Sequence, residues 1–171
     1  MSDLQCPCRV VVARHAEAEY EPESVDGAAS LTLDGRAQAR VLGESMRNRR
    51  VAAIVTGSTA PAVQTAEIVA SQLAVSVGVR AGLDEGRAGV EASADVVRRV
   101  RDELRDLVDL YRGETVLVVT HGAIMSLALP SLVDNPPRND AAEQVLEPCA
   151  LVEIDCDADG WRCLSWPGRT L

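Results

Sequence analysis

The chain has two imidazoles, His15 and His121, and each stands at the end of a short apolar run. Arg9-Val10-Val11-Val12-Ala13 leads to the first and Val116-Leu117-Val118-Val119 to the second. Arg14 immediately precedes His15. In an open parallel sheet the loops leaving the carboxyl ends of the strands share one edge, so two histidines in matching positions converge there. Two imidazoles, a guanidinium and the amides that open a helix at Gly122 suit a phosphoryl group. Arginine presents a planar fork to phosphate oxygens, and a helix start attracts an anion. A neutral imidazole can attack phosphorus directly while a second stabilises charge, and this chemistry requires no metal. Either histidine alone reads as an ordinary strand-end residue; the matched contexts of both tip the balance towards chemistry.

The elements that must position these residues are legible as alternating strand and helix patterns, which predict an α/β fold. The expected architecture is a three-layer sandwich: a mostly parallel sheet, helices on both faces and a C-terminal antiparallel hairpin, all in a single domain over residues 1–171. Strands are predicted at 9–13, 51–55, 75–79 and 116–119, with a polar loop from the first strand to about residue 32. A helix capped by Thr32 starts near Asp34 and is expected to bury Ala37, Val41, Leu42 and Met46. A second places Ala62, Ala66, Val69 and Leu73 on one face, with Pro61 in its first turn. A third, at 95–112, turns Val96, Val100, Leu104, Leu107 and Tyr111 inward. The helix behind His121 carries Ile124, Leu127 and Ala128 and is expected to stop near Pro130. Residues 150–154, 157–160 and 161–164 read as strand, turn and strand.

Composition narrows the function classes. At 171 residues, with 47% apolar and 25% charged types, the chain suits an ordinary globular protein with a real core. All 17 basic residues are Arg, which removes Schiff-base chemistry and the phosphate-loop lysine. A net charge of −9 and only two Trp and two Tyr argue against nucleic-acid and acidic-membrane partners. Five cysteines, an odd number without zinc-ribbon spacing, read as reduced thiols, Cys6 and Cys8 being at most a weak metal or redox pair. No metal site and no cofactor are expected. The N-terminal residues carry neither a basic stretch nor an apolar signal region, so the expected compartment is the cytoplasm.

Four stretches resemble, in order and spacing, the histidine phosphatase superfamily that includes the cofactor-dependent phosphoglycerate mutases. Val11-Val12-Ala13-Arg14-His15-Ala16 is similar to the opening Arg-His-Gly motif, with Ala16 in the glycine's place. Leu31-Thr32-Leu33-Asp34-Gly35-Arg36-Ala37-Gln38-Ala39 resembles the first helix entry, Gln64-Thr65-Ala66-Glu67-Ile68-Val69-Ala70 the end of the second motif, and Val118-Val119-Thr120-His121-Gly122 the second histidine's strand. The resemblance implies that His15 is the nucleophile that becomes phosphorylated. Arg14 and His121 would then bind the phosphoryl oxygens, and Glu85 would protonate the leaving oxygen, with Asp84 the neighbouring candidate. General acid help of that kind is worth about 10²–10⁴ in rate.

The family's second phosphate-binding arginine, three residues before Gln64-Thr65-Ala66, is replaced by Pro61, and no arginine lies between Arg50 and Arg80. Loss of a donor aimed at transition-state charge costs about 3–4 kcal/mol. Arg87 or Arg80 from the next loop, or the hydroxyls of Ser58 and Thr59, are the candidate substitutes. The chain also lacks the long insertions from which mutases build a lid. The expected function is therefore a metal-independent phosphatase of modest activity, acting on a phosphorylated small molecule or phosphoprotein through a phosphohistidine. An impaired phosphate-binding or regulatory relative is the alternative, and a metal- or redox-responsive cysteine protein a third reading.

Overall fold

The structure, a computed structural model, describes residues 6–20, 29–86, 90–137 and 146–168. Its centre is the strand β1 (Cys8–Arg14), whose parallel neighbour is β6 (Thr115–Thr120) in the register Arg14↔Thr120. Outward from β6 lie β4 (Val51–Thr56) and β5 (Val77–Val79), both parallel. On the other side of β1, β7 (Leu151–Cys156) and β8 (Trp161–Ser165) add antiparallel strands, completing the order β5-β4-β6-β1-β7-β8.

Val10, Val11 and Val12 of β1 and Val116, Leu117, Val118 and Val119 of β6 are at most 2% exposed. They are covered from both sides, which is why these strands read as continuous apolar runs. Helices α1 (Leu33–Met46) and α2 (Ala60–Leu73) pack over Val11, Ala13, Ile54, Leu117 and Val119. Helices α3 (Ser93–Leu110) and α4 (Gly122–Leu132) pack over Val10, Val12, Val55, Val116 and Val118. Each Val, Leu or Ile side chain among them gains about 1.5–3 kcal/mol by leaving water. The expected sandwich is therefore present, with helices on both faces and the terminal hairpin antiparallel.

Three local expectations are corrected. Helix α1 buries Gly35, Ala39, Leu42, Gly43 and Met46, while Ala37 is exposed and Val41 is 64% exposed. Close packing against α2, where Gln72 and Val69 crowd Gly43, selects the face with the glycines rather than the one richest in branched residues. Helix α4 runs through Pro130 to Leu132. Pro130 cannot bond to the Ser126 carbonyl, but it stands two residues from the helix end, and Leu129 and Val133, 1% and 8% exposed, bury the chain on either side of it. The same helix leaves Leu127 42% exposed. Part of the stretch expected as loop is a two-stranded antiparallel ribbon, β2 (Ala18–Tyr20) with β3 (Ala29–Leu31). Among the described residues no helix is long and apolar enough to cross a membrane.

Candidate active site

Adjacent parallel strands in register bring the two histidines together. His15 N–H donates to the Thr120 carbonyl at 2.8 Å, fastening the exit of β1 to the exit of β6. The rings then meet edge to face, with centroids 5.1 Å apart and planes 71° from parallel. Both are buried, His15 to 7% exposure and His121 to 4%. His15 Nδ1 lies 2.8 Å from the Ala16 carbonyl oxygen. A carbonyl only accepts, so Nδ1 carries the proton and Nε2 keeps its lone pair.

Burial pushes the His15 pKa below its ordinary 6.5; Arg14 adds to the shift, while the Ala16 contact and Glu85 oppose it. His121 is lowered too, first by burial and then by His15, with Glu85 and Asp84 pulling the other way and Arg14 lowering it further. Both shifts favour the neutral imidazole, and two imidazoles at this separation cannot readily both be charged.

Around them stand groups from four strand exits. The Arg14 guanidinium donates to the Leu146 carbonyl. Its alkyl stem covers Gly122, where a Cβ would sit 3.2 Å from Arg14 Cδ. Thr59 is the N-cap residue of α2, yet its hydroxyl makes no cap bond and instead lies 3.2 Å from His121 Nε2. Glu85, in the segment after β5, places Oε2 3.7 Å from His121 Nδ1, with its side chain 49% exposed. His121 Nδ1 has no hydrogen-bond partner. Asp84, the other candidate acid, is turned away: its carboxylate accepts from both the amide and the hydroxyl of Ser58.

Thus Arg14, His15, His121, Gly122, Thr59 and Glu85 are brought together, and Ser58 is engaged by Asp84. Arg87 lies outside the described residues. Arg80 is not at this site, because it pairs with Glu103 and Asp106 on α3. Pro61 is buried in the first turn of α2 and supplies no cation.

Sequence reasoning gave no role to three supports. Thr65 Oγ1 accepts from the Ala16 amide at 3.0 Å and donates to the Pro61 carbonyl at 2.7 Å, tying α2 to the loop of the first histidine. Gln64 Oε1 accepts from the Leu31 amide. A polar residue inside the buried stripe Ala62, Ala66, Val69 was the available signal for Thr65; the Leu146 carbonyl, a backbone group, had none.

A cavity of about 560 Å³ opens at the opposite sheet edge, between the second half of α3, the end of α4 and the β7–β8 turn. It holds neither histidine, so its size does not make it the reactive site. Among the described residues no group of three or more His, Cys, Asp or Glu is placed to hold a metal. Cys6 is exposed, whereas Cys8 is buried in β1 and its thiol is pushed up to about 11 by burial first and then by Asp155 and Glu114.

Residues 10–92 and 86–168 match the family model of the histidine phosphatase superfamily, branch 1. The chain belongs to the histidine phosphatase superfamily. The probable phosphoglycerate mutase GpmB of Yersinia enterocolitica is 23% identical to it over 193 residues, covering 92% of this chain and 89% of the relative. Among solved structures, YhfR of Bacillus stearothermophilus superposes with a TM-score of 0.80 at 22% identity, over 96% of this chain and 98% of that one. A mycobacterial glucosyl-3-phosphoglycerate phosphatase gives 0.78 at 21% identity, over 94% and 99%. Relatives of this superfamily chain thus carry both phosphatase and mutase names.

Proposed function

We propose that the protein is a phosphatase that hydrolyses a phosphomonoester through a phosphohistidine on His15. The observation that carries this reading is the buried, edge-to-face pair of histidines, with His15 Nδ1 occupied by the Ala16 carbonyl and Nε2 left free to act as a nucleophile. In the first step His15 Nε2 bonds to phosphorus, the ester P–O bond breaks, and the leaving oxygen takes the Glu85 proton. In the second, water attacks the phosphohistidine and gives its proton to Glu85, and the P–N bond breaks to release inorganic phosphate. Arg14, His121, the Thr59 hydroxyl and the Gly122 amide meet the charge on the phosphoryl oxygens. No step calls for a metal, because the nucleophile is already a free lone pair.

Hydrolysis is preferred to returning the phosphoryl group to a sugar acid because the Glu85 side chain is half exposed and water has access to it. The phosphorylated small molecules named in the relatives make that class the first to test, ahead of phosphoproteins. Pro61 favours a second reading, a phosphate-binding relative with little turnover, since a buried proline stands where a guanidinium would answer developing charge.

A phosphoenzyme trap separates the two. The protein is incubated with a labelled phosphomonoester, quenched, and examined for acid-labile phosphate. Label on His15, lost in His15→Ala together with at least about 10³-fold of turnover, is the expected result. A folded protein that binds inorganic phosphate but takes no label from several donors is the second reading's outcome.

A further inference from the structure

His121 is flanked by two residues whose immediate neighbours are bonded to each other. Glu85 faces its Nδ1 at 3.7 Å and Thr59 its Nε2 at 3.2 Å. Asp84, next to Glu85, accepts from the amide and hydroxyl of Ser58, next to Thr59. The five residues His121, Glu85, Asp84, Ser58 and Thr59 therefore close a ring. The room for the Asp84 carboxylate comes from Gly57, where a Cβ would stand 2.7 Å from Asp84 Oδ1.

The rest of the acid-bearing segment is fastened in the same way. The Leu83 carbonyl accepts from Thr120 Oγ1 at 2.7 Å, and the Leu83 side chain is 1% exposed. The Gly82 carbonyl accepts from Arg99 at 2.6 Å, and Arg99 also forks onto Glu91 at 2.7 and 2.9 Å. Gly86 lies against that fork, a Cβ there falling 2.8 Å from Glu91 Oε2. The Gly82 and Leu83 carbonyls and the Asp84 carboxylate, immediately before Glu85, are thus all engaged.

We infer that Asp84 is the positioning residue of this site: by bonding Ser58 it locks the Glu85 segment to the start of α2 and so holds Glu85 towards one ring nitrogen of His121 and Thr59 towards the other. Both Asp84 oxygens are engaged in accepting, which separates its task from the proton transfer of Glu85. The inference rests on the reading of Glu85 as the proton donor.

The test compares an alkyl ester, glycerol phosphate, whose alkoxide leaves only with a proton, with para-nitrophenyl phosphate, whose phenolate leaves without one. Asp84→Ala is expected to lose about tenfold more turnover on the alkyl than on the aryl ester, a fraction of the whole general-acid effect. Asp84→Asn, which keeps one acceptor oxygen, should recover part of the difference. In a Glu85→Gln background, the alkyl-ester loss caused by Asp84→Ala should shrink to the loss seen on the aryl ester, the part carried by Thr59, because coupled residues are not additive.

Equal losses on both esters, or an undiminished loss in the Glu85→Gln background, would overturn the inference. Amide exchange at Ser58 gives an activity-free reading. Protection in the wild type that is lost in Asp84→Ala supports the lock, and equally fast exchange in both refutes it. A wild type that hydrolyses neither ester and takes no label refutes the phosphatase reading instead, and the exchange result then decides the lock alone.

Discussion

His15 has one nitrogen for chemistry because the other is engaged, and that division depends on a backbone carbonyl one residue away. The local geometry leaves the Nε2 lone pair intact whatever stands at position 61. In the proposed reaction, what position 61 changes is the charge facing the phosphoryl oxygens. Pro61 occupies the first turn of α2, where its missing N–H costs nothing, and its carbonyl is used by Thr65. Replacing it by arginine keeps that carbonyl and adds a guanidinium beside Thr59. Pro61→Arg is therefore expected to raise kcat by about 10-fold or more, up to the roughly 10²–10³ that one such donor is worth. Steady-state kinetics on para-nitrophenyl phosphate would show it. An unchanged kcat in a variant with undiminished thermal stability would mean that Arg14, His121 and Thr59 already saturate the need for charge.

At the scale of elements, the strand exits explain why the site assembles at all. The register Arg14↔Thr120 puts His15 and His121 side by side before any side chain chooses a rotamer. Helix entries matter equally, and α1 gives a clean case. Thr32 Oγ1 accepts from the Gly35 amide at 2.9 Å and donates to Glu17 at 2.8 Å, so one hydroxyl caps the helix and ties it to the loop after His15. Thr32→Ala should lower unfolding free energy by about 1 kcal/mol, the usual worth of such a cap. Urea unfolding with an unchanged m-value would confirm it, whereas a loss below about 0.3 kcal/mol would mean that water replaces the hydroxyl at no cost.

That cap, the buried runs of β1 and β6 and the convergence of the two histidines were legible in the sequence because each follows from short-range pattern. The rotated face of α1 was not, because Gly35 and Gly43 carry no hydrophobic signal yet permit the closest approach to neighbouring chain. Nor was the choice between Asp84 and Glu85: adjacent carboxylates look alike until the Ser58 donors claim one of them. Helix α4 passing Pro130 shows the same limit, since burial of Leu129 and Val133 outweighs a local rule that the sequence states plainly.

For the whole molecule, the site carries a cost that pH exposes. Two imidazoles buried in neutral form bind protons less readily in the folded chain than in the unfolded one, where each titrates near 6.5. Above that value both states are neutral at these positions and the histidines contribute nothing to pH dependence. As pH falls below it, the unfolded chain takes up protons that the folded chain resists, so stability drops towards the depressed folded pKa values.

Two other effects fall in different places. The Glu91 carboxyl is held below its ordinary 4.5 by the Arg99 fork, so its contribution is lost only at lower pH. Relief of self-repulsion as the charge of −9 is titrated acts in the stabilising direction. Comparing the wild type with a His15→Asn/His121→Asn double variant cancels both. The difference in unfolding free energy, wild type minus variant, is expected to fall between about pH 7 and about pH 5. A difference that stays flat over that range would mean that the imidazoles charge as easily in the folded site as in water, and the neutral nucleophile on which the proposed mechanism depends would be lost with it.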